Sequence, residues 1–251
     1  MCRLGYSVAT PLVTLFPQLS RNCDAGMGHV VCLLLWCKGA SGVAETQAAR
    51  DWQDLLTRWN NDLLKSDQIV RGLPPDVVAS GWLGYPGATG EQIRGAEQRL
   101  NVTLPQSYRE FLQLTNGWRA GHPFFPRLWS TDEVGWFRDR NQLKLDAWML
   151  AGGSWTTPAA VTDEKYFVYG PEQDELTLRV EYFPSLLEVS EAAASDVLLL
   201  NPQVVFADGE WEAWDLGTRP RGAFRYQSFW ELMQAQYTAF VALRNLREPG
   251  S

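Results

Sequence analysis

Three carboxylates, Asp208, Glu210 and Glu212, alternate along one short stretch of the chain. An extended strand would set them on one face. Carboxylates gathered in this way can hold a divalent cation or serve as acid and base in a hydrolysis. They can equally form an acidic surface that steers in a basic partner, or a solvated turn and strand edge. A catalytic metal site needs ligands converging from elsewhere, and the neighbouring sequence offers none. No metal, no cofactor and no catalytic residue is therefore assigned. Trp211 and Trp214, three positions apart, point to opposite faces of a flat strand. One belongs in the core beside Leu216. The other is expected to be exposed, or covered by a helix, where it would anchor a partner between Glu210 and Glu212.

Other chemistries find less support. All four cysteines, Cys2, Cys23, Cys32 and Cys37, lie in the first forty residues. They cannot staple the rest of the chain, and with His29 they fit no standard zinc spacing. The remaining histidine, His122, sits in a Gly-His-Pro turn. Gly152-Gly153-Ser154 lacks the second glycine of a nucleophile elbow, and no glycine loop leads into Lys-Ser/Thr. A net charge of −7 and a pI of about 5.0 exclude a counterion-displacing nucleic-acid binder. With 45% hydrophobic and 20% charged residues, the chain has the composition of a globular protein. Most of its 12 tryptophans are expected in the core, and two or three on a surface.

Residues 1–42 differ in character. The apolar run Val30 to Cys37 is too short to span a membrane, and its flanks do not suit a signal peptide. This segment is expected to lie outside the fold, as a disordered arm or a mis-assigned start. A cytoplasmic domain then occupies 43–248.

The elements that position the candidate residues follow from spacing. Ala48, Trp52, Leu55, Leu56, Trp59 and Leu63 stripe one helix. Thr89 and Gln92 form a capping box for the next, with Ile93, Ala96, Glu97 and Leu100 inward. Asn101 ends that helix in the left-handed conformation. Pro105 opens a third helix with Tyr108, Phe111 and Leu112 on one face, and Asn116-Gly117 stops it. Glu97 on an inner face needs a partner, and the N–H groups between Pro105 and Tyr108 offer one, so Glu97 is expected to cap that helix. A binding role for Asn116, Gly117 and Trp118 is the second reading of that stop. Ser130 to Asn141 suggests another short helix. Five short runs then read as strands: Tyr166–Tyr169, Thr177–Phe183, Leu186–Val189, Val197–Leu200 and Val204–Phe206, with Trp211–Leu216 a sixth. Ser228 and Glu231 cap a last helix striped by Phe229, Leu232, Met233, Tyr237, Phe240 and Leu243. Helices, then a mostly antiparallel sheet of short strands, then a closing helix make an α+β fold.

The stretch from Thr89 to Trp118 resembles the opening of the SUKH superfamily, also called the Smi–Knr family. A capped helix carries Ile93 and Glu97. Leu104-Pro105, Tyr108-Arg109-Glu110-Phe111-Leu112 and Asn116-Gly117 follow in the family's order, with Asn101 where Gly is frequent. Leu200-Asn201-Pro202, Gly209 to Trp214 and Ser228 to Met233 are similar to a bacterial branch of the family. The resemblance implies an α+β domain without known catalysis that binds protein. Bacterial members of this kind are commonly immunity proteins that neutralise an intracellular toxin. The candidate partner-binding residues are then Asp208, Glu210, Trp211, Glu212, Trp214 and Trp118. Thr89, Glu97, Pro105, Asn116, Gly117 and Ser228 are structural. A basic toxin domain is the expected partner, with no nucleic acid and no membrane. A regulatory scaffold in cell-wall or other signalling, and a metal-dependent hydrolase built on Asp208, Glu210 and Glu212, are the alternatives.

Overall fold

The computed structural model describes residues 50–119, 125–150, 161–192, 196–218 and 221–247. The four cysteines, His29, His122, Gly152-Gly153-Ser154 and the segment 1–42 lie outside the described residues. The first helix, α1 (Trp52–Leu64), starts where the Asp51 carboxylate accepts from the N–H of Asp54 at 2.8 Å. Trp52, Leu55, Leu56, Trp59 and Leu63 are all buried, as the period of 3.6 requires. Two short helices follow, α2 (Asp67–Gly72) and α3 (Pro75–Ser80). Pro75 begins α3, a position at which its missing N–H leaves nothing unsatisfied.

Helix α4 (Gly90–Leu100) carries the full capping box of Thr89 and Gln92 and ends on Asn101 at φ 56°. Helix α5 (Gln106–Leu114) has Pro105 as its N-cap. It stops on extended Thr115, before Asn116. Asn116 instead accepts from the N–H of Thr131 at 2.7 Å and ties the turn to the next loop. Gly117 has φ 98°, and a Cβ there would lie 2.9 Å from the carbonyl oxygen of Leu128. Only glycine fits both conditions.

Among the described residues five antiparallel strands form one sheet in chain order: β1 (Gly135–Trp136), β2 (Leu187–Glu188), β3 (Val197–Val205), β4 (Trp211–Thr218) and β5 (Arg221–Tyr226). Helix α6 (Phe137–Leu150), kinked at Asn141, and α7 (Asp163–Tyr166) lie between β1 and β2 in the chain. Helix α8 (Phe229–Arg247) closes the fold. The α+β class and the C-terminal closing helix stand as the sequence indicated.

Several local assignments change. Ser130 to Asn141 contributes β1 and the start of α6 rather than one helix. Tyr166 to Tyr169 and Thr177 to Phe183 are not strands. They hold the end of α7 and a 3-10 turn over Val180–Ser185. Their apolar residues Tyr166, Leu178 and Phe183 are buried against a sheet face, so burial rather than extension accounts for the composition. Val197–Leu200 and Val204–Phe206 merge into β3, whose register against β4 shifts between Asn201 and Val205. Pro202 sits inside that irregularity, where a missing ladder hydrogen bond is tolerated.

Both faces of the sheet are covered. Leu198, Leu200, Trp211 and Ala213 join the cluster made with α1, α4, α5 and α8. Val197, Leu199, Trp214 and Leu216 join a second cluster with Phe137, Leu145, Tyr166 and Phe183. Burial on two faces is what a continuous run such as Val197-Leu198-Leu199-Leu200 signals.

Asp215 of β4 sits between this sheet and α8, accepting from Gln236 Nε2 at 2.6 Å. Burial, with Asp196 nearby, pushes its carboxyl up to about 6. The folded state therefore binds this proton more tightly than the unfolded chain does. The contribution is fully present below about pH 4 and is lost as pH rises through about 6. Asp215→Asn is expected to raise stability at pH 7.5 by on the order of 2 kcal/mol, and by much less at pH 4.5. Urea midpoints of parent and variant at the two pH values measure it.

Candidate functional site

Candidate residues 208–214 lie in and after the β3–β4 turn. Asp208 is exposed, and its Oδ1 accepts from the N–H of Glu210 at 3.1 Å. This Asx turn brings Gly209 to φ 82° and directs the Glu210 side chain towards α5. Glu210 is only 1% exposed. Its Oε1 accepts from the N–H of Ser107 at 2.8 Å, and its Oε2 from the Ser107 hydroxyl at 2.5 Å. Arg50 Nη2 completes the carboxylate's partners at 2.8 Å, and its Nη1 reaches Glu110 at 3.4 Å. The carboxylate that caps α5 is therefore Glu210. Glu97, expected in that role, instead accepts from the N–H of Leu104 at 3.0 Å, with Arg109 Nε at 3.6 Å. It holds the Leu-Pro link ahead of the helix.

Glu212 points to the other side of the sheet. It is fully buried and accepts from Tyr166 OH at 2.7 Å, Tyr169 OH at 2.8 Å, Asn201 Nδ2 at 2.9 Å and Trp214 Nε1 at 2.6 Å. Arg225 Nη1 lies 3.5 Å away, with both side chains of this pair at 0% exposure. The guanidinium of Arg225 stands over the Tyr166 ring at 4.1 Å and donates to the Tyr166 carbonyl. Burial, and then the negative charge of Glu212, push the phenols of Tyr166 and Tyr169 far above their ordinary value. These groups act as fixed donors. The Asn201–Val205 irregularity of β3 sits beside the network, with Asn201 paired directly to Glu212.

Asp208, Glu210 and Glu212 thus share no face. The first is in solvent, the second serves the helical layer and the third serves the opposite layer. The strand starts only at Trp211, so strict alternation does not extend back through the turn. Trp211 and Trp214 do point to opposite sides, but both are buried, at 7% and 0%. Neither is an exposed anchor: Trp211 is covered by the helical layer, the second of the two outcomes the sequence allowed. Trp118, also 0% exposed, packs edge-on to Trp82 with ring centroids 5.1 Å apart. Of the six candidate contact residues, Asp208 alone lies on the surface. It lines, with Gln106, Arg109, Glu110 and Gln113, an open cleft of about 550 Å³ at the start of α5.

Among the described residues no group of three or more His, Cys, Asp or Glu side chains is arranged to hold a metal ion. Ser228 caps α8 as expected, accepting from the N–H of Glu231 at 3.1 Å. The Glu231 carboxylate returns to the N–H of Gln227 at 3.0 Å.

The exposed acidic character resides elsewhere. Between Asp163 and Glu181, six carboxylates stand against two cations, Lys165 and Arg179. Phe167 and Leu176 in the same segment are 43% and 56% exposed. Reading this segment as strands hid it, since alternation in a strand would have turned half of its residues inward. Arg225 and Arg50 were also missed, each lying far in sequence from its partner. The run Asp163-Glu164, then Glu172, Asp174 and Glu175, was the available signal for a solvated acidic face.

The sequence matches the SMI1/KNR4 family (SUKH-1) over residues 87–235. That span is more than half of the chain and takes in α4, α5, the whole sheet and the start of α8. The chain belongs to this family. Among curated proteins none matches it. Among the described residues no helix is long and apolar enough to cross a membrane.

Proposed function

We propose that this chain is a cytoplasmic, non-enzymatic protein-binding domain that acts as an immunity protein, neutralising a cognate intracellular toxin. The observation that carries the reading is the division of its carboxylates. Glu210 and Glu212, the two placed to do chemistry, are taken up by internal donors. One run of exposed acidic side chains, Asp163, Glu164, Glu172, Asp174 and Glu181, shares its segment with exposed Phe167 and Leu176. Apolar contacts in a segment whose carboxylates outnumber its cations combine slow release with fast capture of an oppositely charged partner. Family membership supports the same reading. Blocking is steric and electrostatic: the acidic face meets the basic surface of a toxin and covers its substrate path.

The test is affinity capture from the native cell with the full chain as bait, followed by mass spectrometry. The expected result is one stoichiometric, basic, toxin-like protein whose toxicity is relieved by co-expression of this chain. Retention of signalling or wall-synthesis proteins instead, or of none, overturns the reading and favours a scaffold.

A further inference from the structure

Among the described residues strand β5 ends the sheet, because β4 is its one neighbour in the strand order. An edge strand exposes a row of unpaired N–H and C=O groups and invites a further strand. Here the outward groups are occupied by a segment that is not a strand. The N–H of Ala223 donates to the carbonyl of Glu175 at 2.9 Å. The N–H of Arg225 donates to Gln173 Oε1 at 2.6 Å, and the Arg225 carbonyl accepts from Gln173 Nε2 at 2.8 Å. A primary amide offers the same donor and acceptor as a peptide group, so the Gln173 side chain stands in for one residue of a sixth strand. Close approach depends on Gly222, where a Cβ would lie 2.9 Å from the Glu175 oxygen. Local hydrogen bonds shape this segment, from Gln173 to Gly170, from Leu176 and Thr177 to Asp174, and from Leu178 to Leu176.

We infer that the segment around Gln173–Glu175 is an edge guard, and that the surface it covers is a docking site for β5 of a second copy of this chain. The register argues for that occupant. In an antiparallel pair the N–H and C=O of one residue point the same way, so Ala223 and Arg225 both face outward with Phe224 between them. A two-fold axis at Phe224 sets Ala223 of each copy opposite Arg225 of the other. The same groups then satisfy each other, as a self-complementary two-fold interface requires. The guard competes for these atoms and holds the chain apart.

Two variants of the full chain test this by different atoms. Gln173→Ala removes both bonds at Arg225. Gly222→Ala pushes the Glu175 carbonyl off the edge and leaves Gln173 intact. Sedimentation equilibrium in reductant, which keeps the cysteines from linking copies, measures self-association, and hydrogen exchange follows the amides of Ala223 and Arg225. Each variant is expected to dimerise about tenfold or more tightly than the parent. The amide that each variant frees, Arg225 in Gln173→Ala and Ala223 in Gly222→Ala, should exchange fast when dilute and become protected as the concentration rises. Sedimentation unchanged in a folded variant overturns the inference. So does tighter association with the freed amide left unprotected, which places the contact elsewhere. Protection independent of concentration also overturns it, because the edge is then covered again by its own chain. If one variant fails to fold, the other decides.

Discussion

Replacing Glu212 by glutamine is expected to lower the unfolding free energy by about 3–5 kcal/mol, the range for breaking a buried ion pair from one side. The change is nearly isosteric, so packing does not account for the loss. Five donors converge on this carboxylate: two phenols, the Asn201 amide, the Trp214 indole and the Arg225 guanidinium. The carboxylate accepts from the first four and faces the guanidinium as its counter-charge. A glutamine has one acceptor oxygen and turns an NH₂ group, which only donates, towards some of them. It also leaves the Arg225 cation at 0% exposure without a counter-charge. Urea unfolding of parent and variant measures the cost. Tyr169→Phe serves as the control, since it deletes one donor and leaves the ion pair, at a cost of about 1–2 kcal/mol. A loss in Glu212→Gln no greater than in Tyr169→Phe would show that charge is not what organises this layer.

This network also marks where the sequence is legible and where it is not. The helical half could be read because its signals are local. The Thr89–Gln92 capping box, the left-handed Asn101 and the stripe from Trp52 to Leu63 each involve residues within a few turns of one another, and all stand as expected. The sheet's existence was legible from apolar runs, and the opposite directions of Trp211 and Trp214 from their spacing. Their exposure was not legible, because it depends on what packs against each face. Tyr166, Leu178 and Phe183 cover one face from segments that look like strands in isolation. Alternating and β-branched residues report a half-buried surface as readily as an extended backbone. The same ambiguity turned an acidic surface segment into two expected strands. It also placed Glu210 and Glu212 in solvent, where they would have been candidates for binding.

A division of labour follows from the two covered faces. Buried carboxylates in and just before β4 can be retained only where donors meet them, and they fix which segments pack on which side. Glu212 selects the Tyr166–Tyr169 segment and Glu210 selects the start of α5. Each is a specific demand added to a core that hydrophobic packing alone would leave less uniquely arranged.

The second large effect is expected at Glu210. Glu210→Ala should cost about 3 kcal/mol, and Glu97→Gln less than about 1 kcal/mol. Both residues are carboxylates near the start of α5, so sequence alone cannot rank them. Glu210 meets the Ser107 N–H and hydroxyl, both buried, and pairs with Arg50, whose side chain is 9% exposed. Its removal orphans a helix-terminal N–H, a buried hydroxyl and most of a buried cation's counter-charge. Arg50 retains only the longer contact to Glu110, which is 31% exposed. Glu97, in contrast, offers one oxygen to the Leu104 N–H, and glutamine preserves that oxygen. Its contact with Arg109 is long, and the arginine is 41% exposed, so losing that charge changes little. Chemical unfolding of the two variants separates the roles. Equal losses, or a larger loss at Glu97, would return the cap to Glu97. The expected ranking instead assigns the capping of α5 to a residue 103 positions away in sequence, which locks the β3–β4 turn onto the helical layer.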